Sequence, residues 1–315
     1  MQTIPIGVSP LLTSRLAYGC WRLAGTWNPS EVTPESEAAG RRAVIAAYEA
    51  GYTLFDHADV YCRGVAERIF GAVLKQVPGM RDRIVIATKC GVRFADDPVP
   101  DAPSRYDFSA SHIISSCEQS LRRLGVETID LYQLHRPDYL AGPDEIAVAF
   151  TELKKSGKVR YFGASNFRPT LVTAVQVACP MPLIVNQVEI SLGRLNAFED
   201  GTLDQCLIEK LTPLAWSPLA RGLLGDGPRS IRPEQAATYT MQGVLPVLDA
   251  IARARGTTRT VVALAWLLKH PAKIVPIVGS TNPDRIREAV KAADLDLTRE
   301  EWYQLLIAAR GEPLP

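Results

Sequence analysis

Charge of one sign is what this chain lacks most plainly: 35 Lys and Arg stand against 34 Asp and Glu, a formal net charge of +1 at pH 7. Without a global field there is nothing to draw in nucleic acid or an anionic membrane, and only a local basic patch for a phosphate group is left open. Long hydrophobic runs are missing too. The longest apolar stretch, 261–268, falls far short of the ~20 residues that cross a bilayer. Residues 1–14 contain no basic segment leading into an apolar one. A cytoplasmic protein without membrane or nucleic-acid partners is expected. The six cysteines (Cys20, Cys62, Cys90, Cys117, Cys179, Cys206) contain no CxxC pair, which argues against a zinc knuckle or a disulfide framework and for reduced thiols. Heptads, low-complexity tracts and repeats beyond a βα unit are absent.

What the chain does have is rhythm. Short β-branched runs at 15–19, 53–56, 84–89, 129–135, 159–163, 184–187, 212–216 and 274–278 alternate with longer amphipathic stretches. This is the pattern of βα units building a parallel sheet, and about eight such strands close a barrel. Helices are expected at 35–50, 65–76, 109–124, 143–156, 169–178, 245–255, 260–269, 282–292 and 298–310, several followed by Gly or Pro stop signals. Residues 1–14 suit a small hairpin plugging the bottom of the barrel, and the last helix suits a C-terminal addition. Segments 94–105 and 219–240, rich in Pro or in Gly, Pro and Arg, are expected as long loops after strands. The fold class is therefore α/β, a (β/α)8 TIM barrel, with residues 1–315 forming one domain.

In such a barrel, chemistry gathers where the strands end. The second run ends at Asp56-His57, the third at Thr88-Lys89 and the fourth at Gln133-Leu134-His135. The fifth leads into Ser165-Asn166, the sixth into Asn186-Gln187 and the seventh into Trp216-Ser217. Each position has a plain structural reading: Asp56 as a turn cap, Lys89 as a solvated charge, His135 as a loop residue. Converging from different strands, they read as a site. Tyr61 lies in the loop after Asp56. An isolated phenol has a pKa of roughly 10, and an ammonium beside it favours the phenolate. Lys89 is thus expected to lower the Tyr61 pKa, with Asp56 holding Lys89 charged and His135 donating to the oxygen that gathers negative charge.

These residues, with the motifs around them, resemble the aldo/keto reductase family, whose barrel carries an Asp, Tyr, Lys, His tetrad. The likeness runs along almost the whole chain: Gly51-Tyr52, DHADVY (56–61), TKCG around Lys89, DLYQLHRPD around His135 and GKVRYFGASNF (157–167). NQVEIS from Asn186, AWSPLARG from Ala215 and PIVGSTNPDRIREA from Pro276 continue it in order. The resemblance implies reduction of a small-molecule carbonyl substrate by NADPH, with NADP as product and Asp56, Tyr61, Lys89 and His135 as the catalytic set. It also implies that Ser165, Asn166 and Gln187 bind the nicotinamide carboxamide, with Trp216 stacked on the ring and Cys20, Trp21 and Asp56 close by. By the same likeness Ser217, Pro218, Leu219 and Gly222 line the pyrophosphate. Gly279, Ser280, Asn282, Arg285 and Glu288 face the adenosine half and its 2′-phosphate. Many members carry Lys where this chain has Gly279, and Asn where it has Ala289. The spacing from Tyr61 to Glu67 is longer than the common Tyr-Gly-x-x-Glu.

Other readings compete. A Schiff-base lyase would also use a lysine at a strand end, but it leaves Trp216 and Ser165-Asn166 unexplained. His57, Asp59 and His135 lack a spacing that ensures they converge on a metal. A barrel that binds NADPH and reports its redox state to a partner with little turnover is the alternative from another class, and the complete tetrad argues against it.

Overall fold

The computed structural model describes residues 1–227, 233–239 and 243–314. Its strands, in chain order, are β1 (Thr3–Pro5), β2 (Leu12–Ser14), β3 (Ala17–Gly19), β4 (Leu54–Asp56), β5 (Val85–Cys90), β6 (Val92–Arg93), β7 (Arg105–Tyr106), β8 (Ile129–Leu134), β9 (Val159–Ser165), β10 (Leu183–Glu189), β11 (Thr212–Trp216) and β12 (Val275–Val278). Eight of them, β3, β4, β5, β8, β9, β10, β11 and β12, pair in parallel in that cyclic order and close a barrel. All eight expected runs are strands, and the TIM-barrel class holds.

The strands read as continuous apolar runs because both faces are covered. Ala17, Leu54, Val85, Ala87, Leu131, Val185, Leu214, Val275 and Ile277 fill the barrel interior. Their neighbours Tyr18, Phe55, Ile86, Tyr132 and Phe162 point outward into the layer under the helices. The β1–β2 hairpin closes the bottom, as the N-terminal segment suggested: Ile6 is fully buried in the inner cluster. Gly7 N donates to Thr212 Oγ1 at 2.8 Å. Gly7 is held at φ +54°, and a Cβ there would lie 2.6 Å from the Ile184 carbonyl oxygen, so only glycine lets the hairpin seat against β10.

The outer helices follow their sequence signals. Thr33 and Thr298 make capping boxes at the starts of Pro34–Glu49 and Arg299–Arg310, and Gly125 closes Ala110–Leu124 in the left-handed region. Two helical pieces between β10 and β11, Asn196–Glu199 and Thr202–Ile208, were not expected from sequence. Segment 282–292 is a helix over Pro283–Ala289 that tightens into a 3-10 turn over Val290–Ala293. Segment 94–105 is less irregular than expected, since β6 and β7 pair across its base. Of segment 219–240, the turn Ala220–Gly222 and the helix Pro233–Ala236 are seen, while 228–232 and 240 lie outside the described residues. No helix among the described residues is long and apolar enough to cross a membrane.

Candidate active site

Barrel register brings the polar strand ends together. Asp56, the last residue of β4, pairs with Ala87, and Lys89 on β5 pairs with Gln133 on β8. The chain after β4 stays zipped to β5, with His57 N donating to Ala87 O at 2.8 Å and Asp59 N to Lys89 O at 3.1 Å. It then turns through three consecutive left-handed residues, Cys62, Arg63 and Gly64, at φ 47°, 48° and 86°. Two of these are not glycine, a backbone cost that surrounding structure must hold in place. Just beyond, fully buried Glu67 accepts from Thr88 Oγ1 at 2.6 Å and from Arg123 Nε at 2.7 Å, clamping this turn and its helix onto β5. Tyr61 is delivered to the barrel mouth by this bracing.

Lys89 is fully buried. An ammonium has three protons to give. Lys89 Nζ gives one to Asp56 Oδ2 at 2.8 Å, one to the His57 carbonyl at 2.7 Å and one to Tyr61 Oη at 3.2 Å. Asp56 Oδ1 accepts from Gln187 Nε2 at 2.8 Å and from Gln133 Nε2 at 3.4 Å. Because Lys89 approaches the phenol oxygen as donor, the phenol's own hydrogen is left to point elsewhere. The solvated-charge reading of Lys89 is excluded.

The net effect on Tyr61 is the reverse of the expectation. Burial raises its pKa above the ordinary tyrosine value, and the lowering by the Lys89 charge and hydrogen bond does not overcome it. Desolvating a phenolate costs more here than the neighbouring cation returns, the more so because Asp56 works against that cation. Burial also works to discharge Lys89, but Asp56 and Tyr61 prevail and hold its pKa above the usual lysine range. His135 stacks edge-on to Tyr61, with ring centroids 6.0 Å apart. Burial, then Lys89 and Arg136, hold its pKa well below the usual histidine range, so it is a neutral imidazole at pH 7. Its Nδ1 is buried without a hydrogen-bond partner.

Residues following β9, β11 and β12 adjoin these groups at the barrel mouth. Asn166, left-handed at φ 61°, donates to the His135 carbonyl at 3.1 Å and to Ser165 Oγ at 2.9 Å, and accepts from Trp216 Nε1 at 2.9 Å. Ser165 Oγ itself donates to Gln187 O at 2.9 Å. The half-buried Trp216 indole is thus held by its edge, with the Arg136 guanidinium 5.4 Å from the ring centroid. Past Trp216 the backbone is left-handed at Ser217, Ala220, Arg221 and Gly222, and the turn is closed by Ala220 N donating to Ser217 O at 2.9 Å and Gly222 N to Leu219 O at 2.8 Å. Asp226 ties the end of this loop to Thr260 N and Oγ1, both at 2.8 Å. A Cβ on Gly227 would lie 2.5 Å from the Arg285 guanidinium carbon, so loop and arginine lie against each other. At Gly279 a Cβ would lie 2.7 Å from Trp21 Nε1, so glycine there makes room for that indole.

The Aldo/keto reductase family profile matches residues 15–309. The chain is also 41% identical over 316 residues to the 6-dehydroglucose reductase of Novosphingobium aromaticivorans, covering 98% of this chain and 96% of that one. The chain belongs to the aldo/keto reductase family. A second 6-dehydroglucose reductase, from Agrobacterium fabrum, is 38% identical over 313 residues, with 99% of both chains covered. Among solved structures, the glycerol dehydrogenase of Gluconobacter oxydans is similar with a TM-score of 0.85 at 27% identity, over 99% of this chain and 97% of that one.

For this aldo/keto reductase, several site candidates sit differently from the simplest reading. Gln187 commits its amide nitrogen to Asp56. Asn282 caps the helix Pro283–Ala289, its Oδ1 accepting from Asp284 N and Arg285 N. Ser280 Oγ accepts from Asn282 N. Cys20 and Pro218 are buried, Leu219 and Glu288 half-buried at the rim. The three residues weighed for a metal do not gather: among the described residues no group of three His, Cys, Asp or Glu side chains could hold an ion. His57 is instead buried edge-on against Phe70 at 4.5 Å, and both its ring nitrogens lack partners. Four residues were not assigned these parts from sequence. Gln133 was noted only as a strand end and helps hold Asp56. Glu67 and Arg123 brace the Tyr61 turn, and a Glu at a buried helix position was the available signal. Trp27 stands beside Tyr61, with ring centroids 6.1 Å apart.

Proposed function

We propose that the protein reduces the carbonyl of a small aldehyde or ketone to an alcohol with NADPH, using Tyr61 as general acid. One observation carries the reading: every proton of the Lys89 ammonium is assigned, the third to Tyr61 Oη, which frees the phenol hydrogen for a substrate oxygen. When bound, the reduced nicotinamide supplies the hydride to the carbonyl carbon. As the C=O π pair moves onto oxygen, Tyr61 passes it a proton, and the Lys89 ammonium stabilises the phenolate left behind. His135, neutral at pH 7, donates to the same oxygen and orients it. Solvent returns the proton to Tyr61 once the alcohol leaves.

The residues on the β9, β11 and β12 side fit a nicotinamide dinucleotide. Trp216 offers an indole fixed at its edge, the turn after it offers backbone N–H groups such as that of Arg221 for the pyrophosphate, and Arg285 beside Gly227 offers a guanidinium for the 2′-phosphate. The Schiff-base reading loses support, because a lysine buried on a carboxylate with a raised pKa stays protonated and cannot attack a carbonyl. Since two relatives are named for 6-dehydroglucose, that aldehyde belongs first in a substrate panel with simple aldehydes and ketones. The decisive test is Tyr61→Phe. Turnover should fall by roughly 10² to 10⁴ while NADPH still quenches tryptophan fluorescence with near-parental affinity. Parental turnover in that variant would remove Tyr61 from the mechanism.

A further inference from the structure

The aromatic rings at the barrel mouth form a continuous line. Trp21 and Trp27 lie 6.0 Å apart between centroids, Trp27 meets Tyr61 edge-on at 6.1 Å, and Tyr61 meets His135 at 6.0 Å. Trp27 is the outlier, because it is 55% exposed although an indole is among the most favourable side chains to bury. Its exposure does not come from a loose loop. Thr26 Oγ1 donates to Glu31 Oε2 at 2.6 Å, Asn28 Nδ2 to Glu31 Oε1 at 3.2 Å and Asn28 N to Thr26 Oγ1 at 3.1 Å. Asn28 Oδ1 in turn accepts from the backbone N and the Oγ of Ser30. The residues on both sides of Trp27 are thereby fixed to one carboxylate. An apolar ring held rigidly in water beside a proton donor is arranged to be covered by a molecule that comes and goes.

We propose that Trp27, backed by Trp21, is the platform on which the carbon frame of a polyhydroxylated carbonyl substrate stacks, setting its carbonyl against Tyr61 and His135. The chemistry around the rings selects this class. The Arg22 guanidinium lies 4.4 Å from the Trp21 ring centroid, and Arg136 lies at the Trp216 ring. An alkyl chain over the indoles would cover these donors without pairing them. A sugar-like chain presents C–H faces to the indole and hydroxyls to the guanidiniums. This inference rests on the reading of Tyr61 as the acid.

The test compares 6-dehydroglucose with hexanal, equal in carbon number and unlike in hydroxyls, for the parent, Trp27→Ala and Trp27→Phe. The ratio of kcat/KM for the hydroxylated over the alkyl aldehyde should fall roughly three- to tenfold in Trp27→Ala and largely return in Trp27→Phe. Saturation-transfer NMR with glucose as a non-reacting probe should show ring-proton contact in the parent and lose it in Trp27→Ala, with no turnover needed. An unchanged ratio, equal losses on both aldehydes, or a parent that prefers hexanal would overturn the platform. The two readings fail separately. Parental turnover in Tyr61→Phe with selectivity still lost in Trp27→Ala removes the acid and keeps the platform; the opposite pair of results does the reverse.

Discussion

The two sides of the barrel mouth are built on opposite principles. At the β4–β5 corner the charges of Lys89, Asp56 and Glu67 are already engaged within the protein: Lys89 by three oxygens, Asp56 by Lys89, Gln133 and Gln187, and Glu67 by Thr88 and Arg123. On the β11–β12 side the groups are more open, with Trp216 half-buried, the backbone left-handed at Ser217, Ala220, Arg221 and Gly222, and Arg285 lying along Gly227. The first side has its charges oriented before any ligand arrives, which is what makes a fixed dipole effective at a developing charge. The second is left for a ligand to complete. Substitutions on the first side should therefore disturb folding and chemistry together, and those on the second should disturb binding alone.

Lys89→Met breaks that contrast hardest. It strands the Asp56 carboxylate, 2% exposed, without its cation, and losing one partner of a buried pair costs about 3 to 5 kcal/mol. Denaturant unfolding at pH 7 should show that loss. NADPH oxidation should collapse as well, and any residual rate should titrate at still higher pH, because the charge that pulls the Tyr61 pKa down is gone. Parental stability together with a parental pH profile would overturn both roles of Lys89.

The contrast also explains what could be read from the sequence. The barrel strands were legible because they are short, largely apolar runs, six of which end in or lead into polar residues, and both signals are local. Helix Thr202–Ile208 was not, since it buries Leu203 and Cys206 but exposes Leu207 and Ile208, which blurs its apolar period. Asp56, Lys89 and His135 were legible as residue types at strand ends, and Tyr61 as a residue of the loop after Asp56. The direction of the Tyr61 shift was not, because it depends on how much solvent the folded mouth excludes, a property of the packing. Trp27 reads as an ordinary loop aromatic until barrel closure brings it beside Tyr61, far along the chain.

On the open side, Arg285→Ala should weaken NADPH binding by roughly 2 to 4 kcal/mol, the scale for losing one partner of a desolvated charge pair, and leave NADH nearly unchanged. Because Gly279 offers no cation, Arg285 should carry the larger share of this discrimination. Tryptophan fluorescence quenching at fixed ionic strength measures both affinities, and the unfolding curve should stay within about 0.5 kcal/mol of the parent. Equal losses for the two cofactors would mean that Arg285 supports the site generally and does not read the phosphate.

Gly279→Ala should do less. The new Cβ meets Trp21 Nε1 at 2.7 Å, but that indole is only half-buried and can shift. A cost of about 1 kcal/mol in cofactor affinity is expected, at the low end for overpacking, with a change in tryptophan emission before any cofactor is added. Unchanged emission would show that the indole does not rest on Gly279.

The smallest expected effect is the absence of any Tyr61 or His135 inflection in the pH profile of carbonyl reduction between about pH 6 and 9. A general acid works only while protonated, so its contribution is lost as pH rises through its pKa, and burial holds Tyr61 above the ordinary tyrosine value of roughly 10. A histidine would add an inflection near its free value of roughly 6.5. His135 is held well below that by burial first and by the Lys89 and Arg136 charges after it, so it is already neutral at the acidic end of the window and stays so. Tyr61, Lys89 and His135 should therefore keep their charge states through neutrality, whereas buried Asp59 beside them, pushed up to about 8 by burial and then by Glu67, titrates within the window. The measurement is kcat at saturating NADPH and aldehyde, taken at constant ionic strength. An inflection near pH 6.5 that disappears in His135→Asn would place a titrating imidazole in the mechanism and break the claim that this corner is fixed before substrate arrives.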